Sequence, residues 1–322
     1  MILIQSLSAD QTTTNVVKWL NKFQCSWKRL NDLTKTKSIN YVDENFVIET
    51  EKDTINFKNV KGYWFRRGKI IPFIKILKFS NIKFRKKLEH YLFEEMESVV
   101  EFFKERLSQI PHIGSYETCV NVNKHLILLK AQKLGLNIPP FIITNNKTDV
   151  VNFLRSYKKI ITKPLHLPFD YSTSNYWYPT YTVSVNEMSI NNFPQHFQST
   201  IFQKEIEKKF ELRIFFLMGE FYSMAIFSQN NQKTRTDFRM YDYRKPNRKV
   251  PYKIPSDLME KLSLLMKDLN LQSASIDVLY SIDGKYYFLE VNPIGQFGMV
   301  SYPCNYFLEK RIAQELNKFE CA

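Results

Sequence analysis

Hydrophobic residues recur along the chain with two periods, near two residues and between three and four residues, which indicate strands and helices. Strands are predicted at residues 2–5, 45–55, 60–65, 141–144, 159–164, 181–185, 202–206, 212–218 and 221–227. Helices are predicted at residues 13–23, with a threonine cap, and at 84–107, 123–134, 149–156, 257–269 and 309–319. The order of these elements predicts an α/β (α+β) chain with domains at residues 1–115, 116–200 and 201–322.

The segment from residue 274 to 293 reads ASIDVLYSIDGKYYFLEVNP and predicts a β-hairpin. Asp283-Gly284 is a strong signal for a two-residue turn between two β-rich runs. A turn of that length places Asp277 directly across from Glu290. Opposed side chains have Cβ atoms only ~5 Å apart, so two acids without a counterion would repel each other there.

A bound divalent cation would remove this repulsion. Asn292 lies two residues after Glu290, on the same strand face, and supplies a third oxygen ligand. Mg²⁺ prefers such hard oxygen ligands, usually completed by water and substrate phosphates. The alternative is a solvated hairpin, but Leu279 and Phe288 are predicted on the acidic face, where a fully solvated surface rarely carries them. The opposite face would bury Ile276, Val278, Tyr280, Tyr287, Leu289 and Val291.

Charge is unevenly distributed along the 322 residues, whose net charge is +14. Residues 61–88 contain ten Lys or Arg and no acid, and residues 233–253 contain eight bases against two acids. Such patches attract polyanions or acidic peptides. A nucleic-acid-binding module is one alternative, but two facing carboxylates would be repelled by a phosphate backbone. An acidic macromolecule is the favoured partner, and no nucleic acid is expected.

The cysteine spacing and the lengths of the apolar runs indicate in which compartment the protein is expected. The four cysteines are far apart without CxxC spacing, and the five histidines form no ligand motif, so neither a disulfide framework nor a zinc site is predicted. Apolar runs fall short of the ~18 residues of a membrane span, and the first residues lack the basic segment of a secretory signal. We therefore expect a cytoplasmic protein without a membrane partner.

The motifs from Val122 onward resemble the ATP-grasp superfamily. The resemblance rests on Asn123-Lys124 opening a helix, GLNIPPFIITN, a strand ending in Lys163-Pro164, FQKEIEKKFELRIFF and SIDVLYSIDGKYYFLEVNP. Within the superfamily, VKGYWFRRG and IGQFGMVSYPCNYFLEKRIAQEL look most like the microviridin-type ligases that build graspetides. This resemblance implies an ATP-grasp fold, with an N-terminal α/β domain, a central lid domain and a C-terminal antiparallel-sheet domain.

The resemblance implies an ADP-forming peptide macrocyclase that uses ATP and Mg²⁺. A side-chain carboxylate of an acidic, leader-bearing precursor peptide is phosphorylated. A Thr or Ser hydroxyl, or a Lys amine, of the same peptide then attacks the acyl phosphate and closes an ester or amide ring. The alternative is an ATP-grasp ligase that adds amino acids to a protein tail or joins small metabolites. Relatives also suggest a homodimer.

Site roles follow from the same resemblance. Arg213 is the implied catalytic residue, because a guanidinium forks onto phosphate oxygens and stays charged; the alternative is a cross-sheet ion pair. The implied metal ligands are Asp277, Glu290 and Asn292. The implied nucleotide contacts are Lys124, Lys163, Gln203, Lys204, Glu205, Ile206 and Glu211, with Glu207 an alternative to Glu205. Peptide contacts are predicted at Arg66, Arg67, Arg235 and Arg239.

The segment after the Lys-Pro strand departs from the superfamily pattern. ATP-grasp proteins often cover the phosphates with a glycine-rich loop at this point, but residues 136–218 contain no glycine. Residues 168–180 offer serine, threonine and tyrosine hydroxyls in its place. We predict that this loop acts as a lid that orders when substrate binds.

Overall fold

The computed structural model describes residues 1–68, 80–120, 122–166, 170–173, 176–179, 182–229, 244 and 246–321. They form two compact units, the first from residues 1–120, 296–301 and 307–322 and the second from residues 121–295 and 302–306. The division into three domains stays a prediction. Within the described ranges, every helix is too short or too polar to cross a membrane.

Strands and helices alternate along the described ranges. The strands are β1 (Ile2–Gln5), β2 (Trp27–Leu30), β3 (Thr36–Val42), β4 (Asn45–Thr50), β5 (Thr54–Asn56), β6 (Gly62–Phe65), β7 (His112–Ile113), β8 (Phe141–Asn146), β9 (Ile160–Lys163), β10 (Asp170–Ser172), β11 (Trp177–Pro179), β12 (Val183–Val185), β13 (His196–Lys204), β14 (Lys208–Leu217), β15 (Glu220–Phe227), β16 (Arg248–Tyr252), β17 (Ser273–Ser281) and β18 (Tyr286–Asn292). The helices are α1 (Gln11–Lys22), α2 (Ile82–Ser108), α3 (Tyr116–Val120), α4 (Lys124–Lys133), α5 (Lys147–Tyr157), α6 (Glu187–Asn191), α7 (Ser256–Asp268), α8 (Gly298–Cys304) and α9 (Leu308–Cys321).

Each predicted strand and helix has a counterpart, with some corrected boundaries. Helix α1 begins earlier than predicted and has no threonine cap, because the Asp10 carboxylate accepts the N–H of Thr13. The stretch at 45–55 is two strands, β4 and β5. The hairpin between β14 and β15 turns at Met218-Gly219, where both residues have positive φ, so Leu217 pairs with Glu220.

The first unit is built on a parallel sheet with strand order β2-β1-β6-β7. Strand β1 is buried along its whole length, as its run of apolar residues predicts. Helices α1 and α9 pack against each other, and α9 also packs on β1 and β6. A separate antiparallel sheet, β3-β4-β5, carries Phe46, whose ring contacts Phe103 of α2.

Besides the two-stranded sheet β10-β11, the described part of the second unit contains two larger antiparallel sheets, each with its own apolar core. The sheet β12-β9-β13-β8 packs on α5 and α6 through a core that includes Val150, Ile190 and Phe202. The sheet β16-β15-β14-β17-β18 packs on α4 and α7. Helix α4 begins at Lys124 because the Asn123 side chain accepts two N–H groups of its first turn.

Candidate nucleotide and metal site

The two acids of the C-terminal hairpin face each other as predicted, since Asp277 is the cross-strand partner of Glu290. The turn, however, is longer than predicted. Ser281 N donates to Lys285 O at 2.9 Å and Gly284 N donates to Ser281 O at 3.2 Å, so three residues form the loop. Gly284 takes the left-handed conformation at φ +79° that such a loop needs.

A β-bulge compensates for the longer turn. Near the turn, Val278 pairs with Phe288, and the register shifts by one residue before Asp277 meets Glu290. Phe288 is therefore buried in the core, and Leu289 lies on the wall of the cavity beside Glu290. Our predicted faces for Phe288 and Leu289 were wrong, because a one-residue slip moves side chains to the other face of a strand.

The facing acids Asp277 and Glu290 line a cavity of about 390 Å³ inside the second unit. That volume lies in the ~300–1,000 Å³ range of small-molecule sites. The predicted site residues on its wall are Lys163, Gln203, Lys204, Glu205, Ile206, Glu211, Arg213, Asp277 and Glu290. They come from β9, β13, β14, β17, β18 and the link after β13, so the fold brings together residues that are far apart in sequence.

Each acid of the pair is held by a basic residue. Arg213 lies opposite Asp277 on β14, and its Nη1 donates to both carboxylate oxygens. Lys124, in the first turn of α4, places its Nζ 2.9 Å from Glu290 Oε2. Lys124 therefore reaches the predicted metal ligand. Arg213 thus forms a cross-sheet ion pair, the kind of contact that was the alternative to a catalytic role. The same guanidinium can hold Asp277 and still contact a phosphate, so the two roles are compatible.

A buried ion pair lies beside this centre. Lys208 Nζ is 2.7 Å from Glu211 Oε1, and Ser228 Oγ donates to the same oxygen at 3.0 Å. Burial raises the pKa of Glu211, and the ammonium of Lys208 acts in the opposite direction. The sequence did not predict Lys208 as a site residue, because regular strand alternation puts residues three apart on opposite faces. A register shift after Lys208 instead brings its side chain to the same side as Glu211.

Part of the segment 203–206, whose residues are implied nucleotide contacts, already makes hydrogen bonds within the protein. Lys204 N donates to Pro140 O at 2.8 Å, and Glu205 N donates to Lys159 O at 3.0 Å. Glu207, the alternative to Glu205, forms an ion pair with Lys159. Because these two N–H groups already donate within the protein, Lys204 and Glu205 can contact a nucleotide only through their carbonyls and side chains.

Two buried donors on the cavity wall fit a polar ligand. Gln203 Nε2 and Arg213 Nε have no hydrogen-bond partner among the described residues, although both atoms are buried. Unpaired buried donors are rare and costly. His125 reports on the same region, because burial and then the charges of Lys163 and Lys124 lower its pKa.

The donor set fits magnesium bound together with phosphates. Two facing carboxylates supply hard oxygens, and within the described ranges no group of three or more His, Cys, Asp or Glu forms an all-protein metal cage. Asn292 is at the exposed end of β18, where its Oδ1 accepts the N–H of Ile294 at 3.0 Å. Its second lone pair leaves it able to serve as a ligand.

Of the four predicted peptide contacts, two belong to the described residues of the first unit. Arg66 is buried in the first unit, with Nε 3.2 Å from Asp10 Oδ2, and burial lowers its pKa to about 10. Arg67, beside it, is half-buried. Arg235 and Arg239 lie outside the described residues.

Comparison with solved structures shows the fold directly. A RiPP-associated ATP-grasp ligase of Chryseobacterium gregarium, solved with ADP and a leader and core peptide, is 24% identical, with a TM-score of 0.83 over 99% of this chain and 96% of that chain. The macrocyclase MdnC of Microcystis aeruginosa, bound with precursor peptide MdnA, is 24% identical, with a TM-score of 0.79 over 98% and 99%. The ATP-grasp ligase PsnB, complexed with minimal precursor, Mg and ADP, is 13% identical, with a TM-score of 0.73 over 100% and 98%.

This chain therefore has the ATP-grasp fold, as its motifs predicted. No protein-family model matches the sequence. A search among curated proteins finds no match either.

Proposed function

We propose that the chain is an ATP- and Mg²⁺-dependent, ADP-forming ligase that cross-links a ribosomally made precursor peptide, a graspetide macrocyclase. One observation carries the proposal: Lys163, Arg213, Asp277 and Glu290, on four different strands, line one cavity of about 390 Å³. Cations for phosphate oxygens and carboxylates for a metal are the parts that phosphoryl transfer needs. Solved proteins of the same fold carry ADP, Mg and precursor peptides.

In this proposal each residue has a defined task. Lys163 and Lys124 bind phosphate oxygens, and Gln203 donates through its unpaired Nε2 to the nucleotide. Asp277, Glu290 and Asn292 would hold Mg²⁺, which supplies charge neutralisation at the phosphates. Arg213 orients Asp277 and contacts the transferred phosphoryl group. The remaining nucleotide contacts are Lys204, Glu205, Ile206 and Glu211.

The proposed substrate is an acidic precursor with a leader, and the net charge of +14 supports it. An Asp or Glu side chain becomes an acyl phosphate, and a Thr or Ser hydroxyl, or a Lys amine, displaces phosphate and closes the ring. Arg67, Arg235 and Arg239 are the proposed peptide contacts, and the buried Arg66 supports this segment through its ion pair with Asp10. A cytoplasmic location agrees with four free cysteines. A homodimer stays a prediction, which light scattering after gel filtration tests.

Mass spectrometry tests the proposal. A peptide with a Thr- and Glu-rich core, encoded next to this chain, is incubated with the protein, ATP and MgCl₂. We expect the loss of one water per cross-link and equimolar ADP. A gain of amino-acid mass would instead support the second ligase class. Asp277→Ala and Glu290→Ala should each abolish the water loss, and full turnover by both variants would refute the metal assignment.

A further inference from the structure

The chain that follows Asn292 folds back against the neighbouring strand. Ser275 is the cross-strand partner of Asn292, two residues before Asp277 on β17. Opposed residues and residues two apart share a strand face. Ser275 and Asn292 therefore form the next pair along the face that carries Asp277 and Glu290.

A tight turn holds the Asn292 side chain. Asn292 Oδ1 accepts the N–H of Ile294 at 3.0 Å, and the carbonyl of Asn292 accepts the N–H of Gly295 at 3.0 Å. Such a bond between an asparagine side chain and the backbone two residues later fixes the side-chain direction. The orientation of Asn292 therefore depends on where the backbone at positions 294 and 295 lies.

The backbone at Gly295 lies against Ser275 without room for a side chain. A Cβ at Gly295 would be 2.0 Å from Ser275 Oγ, 2.1 Å from its Cβ and 2.9 Å from its N. Both residues are buried, so neither can move into solvent to relieve the overlap. Gly295 is not among the glycines with positive φ, so glycine is required here for space and not for backbone conformation.

We propose that Gly295 is a positioning residue for Asn292: its close packing on Ser275 seats the turn that orients Asn292 as the third oxygen ligand. This inference rests on the proposed function, since it assumes that the face with Asp277 and Glu290 holds a cation. Ser275 Oγ has no hydrogen-bond partner among the described residues. The Ser275 side chain therefore contributes to this contact by packing and not through its hydroxyl.

The test measures how much MgCl₂ tightens ADP binding to the full chain, by calorimetry with and without the metal. For Gly295→Ala we expect ADP affinity without metal to stay unchanged and the gain from metal to fall about tenfold, as for other residues that orient metal ligands. Gly219→Ala is the control for a glycine change that adds backbone strain without crowding: a Cβ there meets nothing within 4 Å, but φ is +97°, so the variant should lose stability and keep the full gain from metal.

Two double variants test whether the effect of Gly295→Ala is steric. Ser275→Gly with Gly295→Ala removes the contacts at 2.0 and 2.1 Å, leaves only the approach of 2.9 Å to the backbone N of residue 275, and should restore part of the gain. Ser275→Ala with Gly295→Ala keeps the Cβ at 2.1 Å and should not restore it. Equal rescue by both, or an undiminished gain in Gly295→Ala, overturns the inference.

If Gly295→Ala does not fold, Ile294→Pro carries the test, since it removes the N–H that holds Asn292 Oδ1 without adding bulk near Ser275. In this variant the increase in ADP affinity caused by MgCl₂ should fall to a similar extent. An increase as large as in the wild-type chain overturns the inference. Absence of any gain in the wild-type chain would instead overturn the proposed metal site, and the inference with it.

Discussion

Arg213 lies directly across the sheet from Asp277, and one guanidinium nitrogen donates to both carboxylate oxygens. Both side chains are largely buried, with exposed fractions of 12% and 17%. The candidate metal ligand is therefore oriented by the residue proposed to contact the phosphoryl group. One arginine thus links the metal position to the phosphate position.

Removing this arginine should cost stability as well as activity. Arg213→Ala leaves the Asp277 carboxylate buried without its counterion, so we expect a loss of ~3 kcal/mol in the free energy of unfolding. Urea denaturation measures it. The double variant Arg213→Ala with Asp277→Asn should regain part of the loss, because the uncompensated charge is gone. A single variant as stable as wild type would contradict the pairing.

The effect of Lys208→Met should depend on pH. Burial raises the pKa of Glu211 above its ordinary value of 4.5, and losing Lys208 raises it further. Because the pKa of Glu211 is higher in the folded than in the unfolded chain, Glu211 contributes less to folding stability as the pH rises from its unfolded pKa through its folded pKa. Lys208→Met should therefore destabilise the chain more near pH 8 than near pH 5, by roughly 3 kcal/mol at the higher pH.

The control for this prediction is the pair Lys208→Met with Glu211→Gln. It has no ionisable group at either position, so its stability relative to wild type should vary less with pH. Thermal unfolding at several pH values gives both curves. An equal loss at all pH values in the single variant would show that Glu211 does not titrate in response to Lys208.

Substitutions of Arg66 and Arg67, the two arginines after β6, should have different effects on stability and on peptide binding. Arg66 is 5% exposed and pairs with Asp10, so Arg66→Ala should reduce stability by about 3 kcal/mol. Arg67 is half-buried, and Arg67→Ala should change stability by less than ~0.5 kcal/mol while raising KM for the peptide. Denaturation and peptide kinetics check the pair, and a reversed order would reject this assignment.

His125 should report nucleotide binding. Burial and the charges of Lys163 and Lys124 lower its pKa. Phosphates bound by those lysines would offset their charge, so ADP should raise the pKa of His125, as NMR titration of its ring measures. Lys163→Met should raise it without nucleotide and should reduce the response to ADP. No change on saturation with ADP would place the phosphates elsewhere.

Local sequence established the elements and the chemistry of the hairpin. Alternation with a Gly-containing turn was enough to find β17, β18 and their facing acids, and an N-cap was enough to place Lys124 at the start of α4. These features depend on residues within one turn or one hairpin of each other, so short-range geometry decides them.

Register was harder to predict because it depends on irregularities. A turn one residue longer than predicted and a bulge before Glu290 shift the pairing in opposite directions, so the acid pair survived while Phe288 and Leu289 exchanged faces. The bulge after Lys208 likewise brings Lys208 to Glu211. Neither bulge has a signal in the alternation of residue types.

Only tertiary structure decided the partners of the charged residues. Arg213 meets Asp277 because β14 pairs with β17, Lys124 meets Glu290 because α4 packs near β18, and Arg66 is buried on Asp10. These residues are distant in sequence, and their pairing is chosen by sheet order and core packing. A charge run such as YWFRRG carries no information about which of its arginines the fold will bury.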